Sequence, residues 1–167
     1  MYAVQTSLDG ERVPAAGVEY VIPCRRNPAA DEYDYGDGLA LAWAARPFTR
    51  EAGMLVIEHD IVVDPDDRTR MEWAIAEDTL DVVPATYTCW PKSTGLDHPM
   101  TLPRFNHGVH MFGLGCTWLP ARLIDHVWHD LPRTSWNALD GLFSRAAMEL
   151  GLVVRTPHGV NVKHTHY

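Results

Sequence analysis

The stretch MLVIEHDIVVDPDD, residues 54–67, decides the fold class of this chain. Its apolar residues, Met54–Ile57 and then Ile61–Val63, lack the polar alternation of a half-exposed strand. Such a run predicts a central strand over residues 54–63 that is buried on both faces, as strands of parallel sheets are. The acidic segment Asp64–Asp67, which contains a proline, predicts the start of a helix, with an Asp cap and acids near the positive end of the helix dipole.

Three ionisable residues, Glu58, His59 and Asp60, interrupt this apolar run. On a strand, Glu58 and Asp60 would point to the same face because side chains alternate. Ligand sites in open α/β sheets lie at the carboxyl ends of strands, and two poorly solvated carboxylates repel each other there unless a cation neutralises them. The pair therefore predicts a site for Mg²⁺ or Mn²⁺, which prefer carboxylate oxygens. A solvated acidic pair at the mouth of a loop is the alternative.

The end of the sequence, VNVKHTHY, offers a nitrogen ligand for the same metal. On a closing strand over residues 160–164, His164 and His166 fall in phase with Val160 and Val162 and share one face. An imidazole ligand would favour Mn²⁺ somewhat over Mg²⁺. The spacing leaves open whether His164 or His166 binds the ion.

Strand and helix patterns alternate along the rest of the chain. This alternation predicts an α/β fold with a mostly parallel sheet flanked by helices, and a length of 167 residues fits one domain, residues 1–167. Strands are predicted at residues 2–8, 18–24, 54–63, 80–87, in one or two pieces within 107–120, and at 152–155 and 160–164. Helices are predicted at residues 39–45, about 64–78, 121–130 and 139–150.

Composition and charge exclude several classes of protein. A hydrophobic fraction of 46 % and a charged fraction of 22 % are typical of soluble globular domains. The formal net charge of −8 does not indicate direct binding to a nucleic-acid backbone, which requires a basic face. No apolar run approaches the ~20 residues that a membrane span needs. The three widely spaced cysteines, Cys24, Cys89 and Cys116, predict unpaired thiols and a cytoplasmic setting.

Several motifs resemble those of the GT-A-type glycosyltransferases, in which a DxD or ExD-type motif and its metal hold the diphosphate of a nucleotide-sugar. LVIEHDIVV resembles the metal-binding strand of that family, with EHD in place of the commoner DxD. VIPCRRNP resembles the first nucleotide-binding strand and its turn, and HGVHMFGLGCTWLPARLI resembles the Gly-rich turn near the donor sugar. SWNALDGLFSRAAMELGL resembles the acceptor-side helix. The resemblance covers most of residues 18–166 and implies a compact GT-A-like fold.

The resemblance also implies roles for individual residues. Asp140 occupies the place of the residue that acts as the base in inverting members, although a carboxylate at a helix start can also serve as a cap. The sequence VKH, ending at His164, matches a late histidine that ligates the metal. Two basic residues after a strand can bind phosphate or solvate a turn, and glycines let the backbone approach a donor. The candidate nucleotide-binding residues are Arg25, Arg26, Asp34, Asp37, Gly113 and Gly115.

These patterns together predict a metal-dependent glycosyltransferase that moves a sugar from a nucleotide-sugar donor to an unknown acceptor. The expected cofactor is Mn²⁺ or Mg²⁺. Two other classes remain open on the same residues. One is a metal-dependent hydrolase of nucleotides or phosphoesters, or a nucleotidyltransferase, and the other is a non-catalytic module that binds nucleotide-sugars. The sequence names neither the acceptor nor the oligomeric state.

Overall fold

A five-stranded sheet lies at the centre of the protein. The computed structural model describes residues 1–8, 18–27, 32–47, 52–89, 100–106, 108–135 and 138–165. In chain order the elements are β1 Tyr2–Leu8, β2 Tyr20–Cys24, β3 Arg26–Asn27, β4 Glu32–Tyr33, α1 Tyr35–Ala44, β5 Gly53–Ile57, β6 Ile61–Val62, α2 Pro65–Glu77, β7 Val83–Pro84, β8 Tyr87–Cys89, β9 Met100–Leu102, β10 Arg104–Asn106, β11 Val109–Met111, β12 Cys116–Pro120, α3 Ala121–Val127, a 3₁₀ turn Leu131–Arg133, α4 Leu139–Glu149 and β13 Lys163–His164.

The strand order in the central sheet is β2-β1-β5-β12-β7. Strand β1 pairs in parallel with β2 on one side and with β5 on the other. Strand β12 runs antiparallel to both β5 and β7, so that all strands of this sheet except β12 share one direction. This arrangement confirms the predicted α/β fold with a mostly parallel sheet.

Helices cover both faces of the sheet. Side chains of β5 alternate between the faces: Met54 and Val56 pack with apolar residues of α1, α3 and α4, whereas Leu55 and Ile57 pack with those of α2. All residues of β5 are buried, and this two-sided burial accounts for the unbroken apolar run at the start of the quoted stretch.

The predicted strand over residues 54–63 is wrong in its middle. Strand β5 ends at Ile57, a turn follows, and β6 begins at Ile61. The Ile61 N–H donates to the Glu58 carbonyl oxygen at 3.1 Å, which closes the turn. The three ionisable residues therefore leave the sheet at the carboxyl end of β5 instead of occupying the middle of a buried strand, where their charges would be desolvated.

Helix α1 begins earlier than predicted, at Tyr35 instead of residue 39. The Pro, Asp and Gly content of residues 27–38 is typical of a loop, but Gly36 and Gly38 lie inside the helix and are needed for close packing. A Cβ atom on Gly36 would overlap the Leu131 carbonyl oxygen, and one on Gly38 would overlap a methyl group of Ile22. Packing across the fold therefore overrides the low helix propensity of glycine.

The other helices match their predictions closely. Asp64 caps α2 by accepting a hydrogen bond from the Asp66 N–H at 2.9 Å, and Pro65 occupies the first helical position, as predicted. Helix α3 ends at Val127, short of the predicted residue 130, and α4 ends at Glu149. Among the residues that the structure describes, no helix has the length and apolar character to cross a bilayer.

The strands predicted at residues 80–87, 152–155 and 160–164 are shorter than expected. Residues 80–87 form β7 and only the start of β8. The closing segments form isolated bridges, Val82 to Val154 and Thr86 to Asn161, followed by the short strand β13. The segment 107–120 contains two strands, β11 and β12, which is one of the two arrangements predicted.

The cysteines fit the prediction as far as the structure describes them. Cys24 and Cys116 are buried free thiols, and burial raises the pKa of each to about 12. The side chain of Cys89 lies outside the described set. Both described thiols are protonated packing groups near neutral pH.

The strands that follow β1 along the chain lie on opposite sides of it in the sheet, and this arrangement creates a crevice where a ligand can bind. From β1, the chain passes to β2 on one side of the sheet and later to β5 on the other. The carboxyl ends of β1 and β5 therefore meet at a topological switch point, where open α/β sheets form a ligand crevice. The turn that contains Glu58 and Asp60 lies at this end of β5.

Candidate metal centre

Hydrogen bonds to two neighbouring parts of the chain hold the turn at residues 58–60. The Glu58 N–H donates to the Gly115 carbonyl oxygen at 2.8 Å, which links the turn to the segment just before β12. The His59 N–H donates to Oγ1 of Thr6 in β1 at 2.8 Å. The backbone that carries both carboxylates is thus attached to the strands on either side of β5.

The C-terminal segment brings His164 to this turn. Strand β13 pairs antiparallel with β6, with His164 opposite Ile61. Thr165 then makes two hydrogen bonds to the Asp60 carbonyl oxygen, from its N–H at 2.7 Å and from its hydroxyl at 2.9 Å. As a result, Nε2 of His164 lies 3.1 Å from Oδ2 of Asp60.

Glu58, Asp60 and His164 form a cluster that could hold a metal ion. Each offers one ligand atom, and these atoms all lie within 4.8 Å of one another. Oδ1 of Asp60 is buried and has no hydrogen-bond partner among the described residues, a costly state for a carboxylate oxygen. A hard divalent cation would satisfy that oxygen, and two carboxylates with one imidazole suit Mn²⁺ or Mg²⁺. The cluster therefore fits the predicted ion, although the acids converge through a turn and not through one face of a strand.

The surroundings of Glu58 disfavour the ionised form of its carboxyl group. Burial, followed by the negative charges of Asp140 and Asp60, raises the pKa of the Glu58 carboxyl well above its usual value of 4.5. Tyr35 acts in the opposite direction and favours the ionised form. The buried Tyr35 hydroxyl has no partner of normal hydrogen-bond geometry among the described residues, so it stabilises the ionised form of Glu58 only weakly. A bound cation would remove most of the unfavourable charge.

Asp60 is in the opposite electrostatic position. Burial raises the pKa of its carboxyl, but the hydrogen bond and charge of His164, with a smaller contribution from His59, more than offset this effect. The net pKa of Asp60 lies below its usual value of 3.8. Asp60 is therefore ionised at neutral pH even without a metal, and Glu58 is the member of the pair that a cation would help most.

Asp140 lies in the first turn of α4 and faces the same cluster. Its Oδ1 accepts a hydrogen bond from the Leu114 N–H at 3.0 Å, which connects α4 to the turn between β11 and β12. Burial raises the pKa of Asp140 to about 6, against the smaller lowering effect of that hydrogen bond. A carboxylate with a pKa near 6 is a better proton acceptor at neutral pH than an ordinary Asp.

Gly113 and Gly115 lie against Tyr87. A Cβ atom on Gly113 would overlap the Tyr87 hydroxyl oxygen, and one on Gly115 would lie 2.9 Å from two carbons of the same ring. The two glycines therefore make room for an aromatic side chain. Their predicted role, close approach of the backbone to a donor, stays a prediction.

This packing leads to a testable expectation. Gly113→Ala should destabilise the protein by about 1–3 kcal/mol, the usual scale for overpacking a filled interior. In a Tyr87→Phe background the same substitution should cost less, because the overlapping hydroxyl oxygen is gone. Urea denaturation of the single and double variants measures this cycle. Equal costs in the two backgrounds would show that Tyr87 does not explain the glycine.

The remaining predicted nucleotide-binding residues lie around the start of α1. The Arg25 N–H donates to Oδ1 of Asp34, and this bond ties the end of β2 to the residue that precedes α1. The side chains of Arg25 and Asp37 are exposed, the latter in the first turn of α1. The side chain of Arg26 and all of His166 lie outside the described residues. Nucleotide contacts by these residues stay predictions.

Three residues near the cluster were not singled out from the sequence: Ser7, Tyr87 and Thr165. Tyr87 gave no signal, because a Tyr in an apolar segment is most simply explained as core. Ser7 did give one, since Gln-Thr-Ser in the middle of a predicted strand is an interruption of the same kind as Glu-His-Asp. Thr6 and Ser7 are 2 % and 3 % exposed, so these polar groups are buried at the carboxyl end of β1.

Comparisons with known proteins give a fold likeness only. No family model matches the chain, and no curated protein matches it at a significant level. One solved structure, described as CMP:2-keto-3-deoxy-manno-octonic acid synthetase complexed with CTP, is similar with a TM-score of 0.49 and 12 % sequence identity. The match covers 98 % of this chain and 90 % of that one. Similarity at this level assigns no activity, so the function must be argued from the site.

Proposed function

We propose that this protein is a metal-dependent glycosyltransferase that transfers a sugar from a nucleotide-sugar donor to an acceptor hydroxyl. The observation that carries the proposal is the cluster of Glu58, Asp60 and His164, whose ligand atoms lie within 4.8 Å of one another at the carboxyl end of β5. That position adjoins the switch point of the sheet, where a nucleotide would bind. The resemblance of the EHD turn to an acidic metal-binding motif supports the same function.

In this proposal Glu58, Asp60 and His164 hold Mn²⁺ or Mg²⁺, which would supply Lewis-acid stabilisation of the leaving diphosphate. The protein's own contribution is positional. Thr165 fixes the backbone of Asp60 through two hydrogen bonds, and β13 holds the His164 side chain beside it. The ligands are therefore in place before the donor binds, which lowers the entropy cost of forming the site.

The nucleoside would occupy the crevice between the carboxyl ends of β1 and β5. Ser7 supports this placement, because its Oγ is buried and has no hydrogen-bond partner among the described residues. A buried hydroxyl that lacks a partner is available to a polar ligand group. Arg25 directly follows β2, the strand next to β1, has an exposed side chain, and is the proposed phosphate contact.

Asp140 is the proposed general base. It is partly buried, its negative charge raises the pKa of Glu58, and its own pKa is raised to about 6. A carboxylate of this kind can accept the proton of an acceptor hydroxyl as the new glycosidic bond forms. The role requires that the reaction inverts the configuration of the sugar.

A panel of nucleotide-sugars tests the proposed function. Calorimetry with each donor and Mn²⁺ should show binding of at least one donor, with affinity that falls at least tenfold when EDTA removes the metal. Glu149→Gln, which alters an exposed carboxylate of α4 far along the helix from Asp140, is a control that should bind normally. Product analysis then separates the competing classes. Release of free sugar or turnover of a nucleoside triphosphate would favour a hydrolase or nucleotidyltransferase, and binding without turnover would favour a binding module.

A further inference from the structure

The ring of Tyr87 lies nearly parallel to the imidazole of His164 and is offset from it. The two rings are nearly parallel, with an interplanar angle of 10° and a centroid separation of 6.1 Å. Tyr87 begins β8, whereas the metal cluster lies on the turn after β5 and on β13. It is 3 % exposed and belongs to the apolar core on the α2 face of the sheet.

The backbone next to Tyr87 is joined to the segment that leads to His164. The Thr86 N–H donates to the Val160 carbonyl oxygen at 3.3 Å, and the Val162 N–H donates to the Thr86 carbonyl oxygen at 2.9 Å. These bonds set the position of the Tyr87 ring relative to the start of β13. The two rings therefore meet through a fixed backbone connection and not through a chance contact of mobile side chains.

Gly113 and Gly115 also pack against the side chain of Tyr87. The space for a Cβ atom at either glycine is already filled by Tyr87, with ring carbons 2.9 Å from the Cβ position of Gly115. The ring cannot move toward the glycines, and interiors packed to this density transmit such constraints to neighbouring side chains. His164, whose ring is parallel to that of Tyr87, is one of these neighbouring side chains.

We propose that Tyr87 is a positioning residue that holds the His164 ring in the orientation required to bind the metal ion. The proposal rests on the metal centre of the proposed function and extends it. A histidine ligand must direct one ring nitrogen at the ion, and residues that restrict the ring change metal affinity by about 10–100-fold when removed. With the ring held, Nε2 of His164 stays 3.1 Å from Oδ2 of Asp60, so both ligands face one point.

Mn²⁺ binding by the full chain, measured by calorimetry with the metal alone, tests this role. Tyr87→Phe keeps the ring and should bind Mn²⁺ within about twofold of the wild type. Tyr87→Leu keeps an apolar core residue but loses the ring face, and its affinity should fall about tenfold. In a His164→Ala background, Tyr87→Leu should cause no further loss, since the side chain that it positions is absent. Circular dichroism and thermal melts establish that each variant is folded at the temperature of measurement.

If Tyr87→Leu does not fold, Gly115→Ala is measured in its place. The added methyl group at residue 115 would press on the Tyr87 ring and should weaken Mn²⁺ binding severalfold. Two results would overturn the proposal: normal affinity in a folded Tyr87→Leu protein, or an equal loss in the presence and absence of the His164 imidazole. Absence of Mn²⁺ binding by the wild type is a different result. It would overturn the metal centre of the proposed function itself.

Discussion

Glu58→Gln is expected to raise the melting temperature of the metal-free protein and to abolish the further rise that Mn²⁺ produces in the wild type. The first effect follows from the electrostatics of the site. Burial and the charges of Asp140 and Asp60 oppose ionisation of Glu58, and Gln has nearly the same shape without the charge. Relief of a buried, poorly compensated group is worth about 1–3 kcal/mol, and each kcal/mol shifts the melting temperature by roughly 2–4 °C for a chain of this size.

Asp60→Asn should lose the same Mn²⁺ response but change the metal-free protein in the opposite direction. The Asp60 carboxylate is favoured by the hydrogen bond and charge of His164, and its net pKa is lowered. Its replacement therefore removes a favourable interaction and should lower the metal-free melting temperature. In the wild type, Mn²⁺ at about 100 times its Kd should stabilise the folded state by about 2.7 kcal/mol, or roughly 5–10 °C.

The pH dependence of stability separates the two carboxylates. The folded-state pKa of Glu58 is above its usual value of 4.5, so the folded state binds the extra proton and loses stability as the pH rises from about 4.5 to the folded pKa. The advantage of Glu58→Gln should therefore shrink as the pH is lowered toward 4.5. For Asp60, whose pKa is lowered, the favourable contribution is present above 3.8 and is lost as the pH falls through the folded pKa.

Differential scanning calorimetry with and without Mn²⁺ measures both effects, and Glu149→Gln serves as the exposed-carboxylate control. A metal-free Glu58→Gln protein that is less stable than the wild type would contradict the electrostatic description of Glu58. A full Mn²⁺ response in both variants would show that the ion binds elsewhere.

Local sequence signals predicted the parts of this fold that local physics determines. The start of α2 is one example: Asp64, Pro65 and the acids after them satisfy exposed backbone N–H groups and fix φ within one turn. The buried strand β5 is another example, because burial on both faces favours apolar side chains at consecutive positions. Glu58 and Asp60 were singled out because carboxylates inside an apolar run carry a large desolvation cost, whereas Asp140 was singled out only by the resemblance of its helix to the acceptor-side helix of the glycosyltransferases.

The features that the sequence did not predict depend on contacts between distant segments. The turn after Ile57 is held by the bond from the Glu58 N–H to the Gly115 carbonyl oxygen, and no pattern near Glu58 indicates that distant partner. The resemblance favoured His164 as a ligand, but the spacing alone left His166 open, and it is the pairing of β13 with β6 that places His164 beside Asp60. Tyr87 was missed for the same reason, because its effect on His164 exists only after β8 and β13 meet.

Asp140→Asn is expected to reduce sugar transfer by about 100-fold or more, while donor and Mn²⁺ affinities stay nearly constant. The amide removes basicity but keeps a side-chain oxygen that can still accept the hydrogen bond from the Leu114 N–H. The turn between β11 and β12 should therefore keep its place, and the melting temperature should fall little. In the wild type, transfer should decrease as the pH is lowered through about 6, or through a lower value if the bound cation reduces the Asp140 pKa.

Asp140→Ala distinguishes a base from an anchor, because it removes both the basicity and the hydrogen-bond acceptor. If Asp140 is the base, Asn and Ala should lose transfer to a similar extent, and only Ala should also lose stability, by about 1 kcal/mol. If Asp140 only anchors Leu114, Asn should retain transfer and Ala should lose it. Product formation with the donor identified by calorimetry, measured beside a thermal melt, separates these patterns. The wild-type pH profile adds an independent criterion. A general base needs its negative charge, so transfer should fall as Asp140 becomes protonated. An anchor only has to accept one N–H, which the uncharged Asn side chain also does, so its role does not depend on that charge.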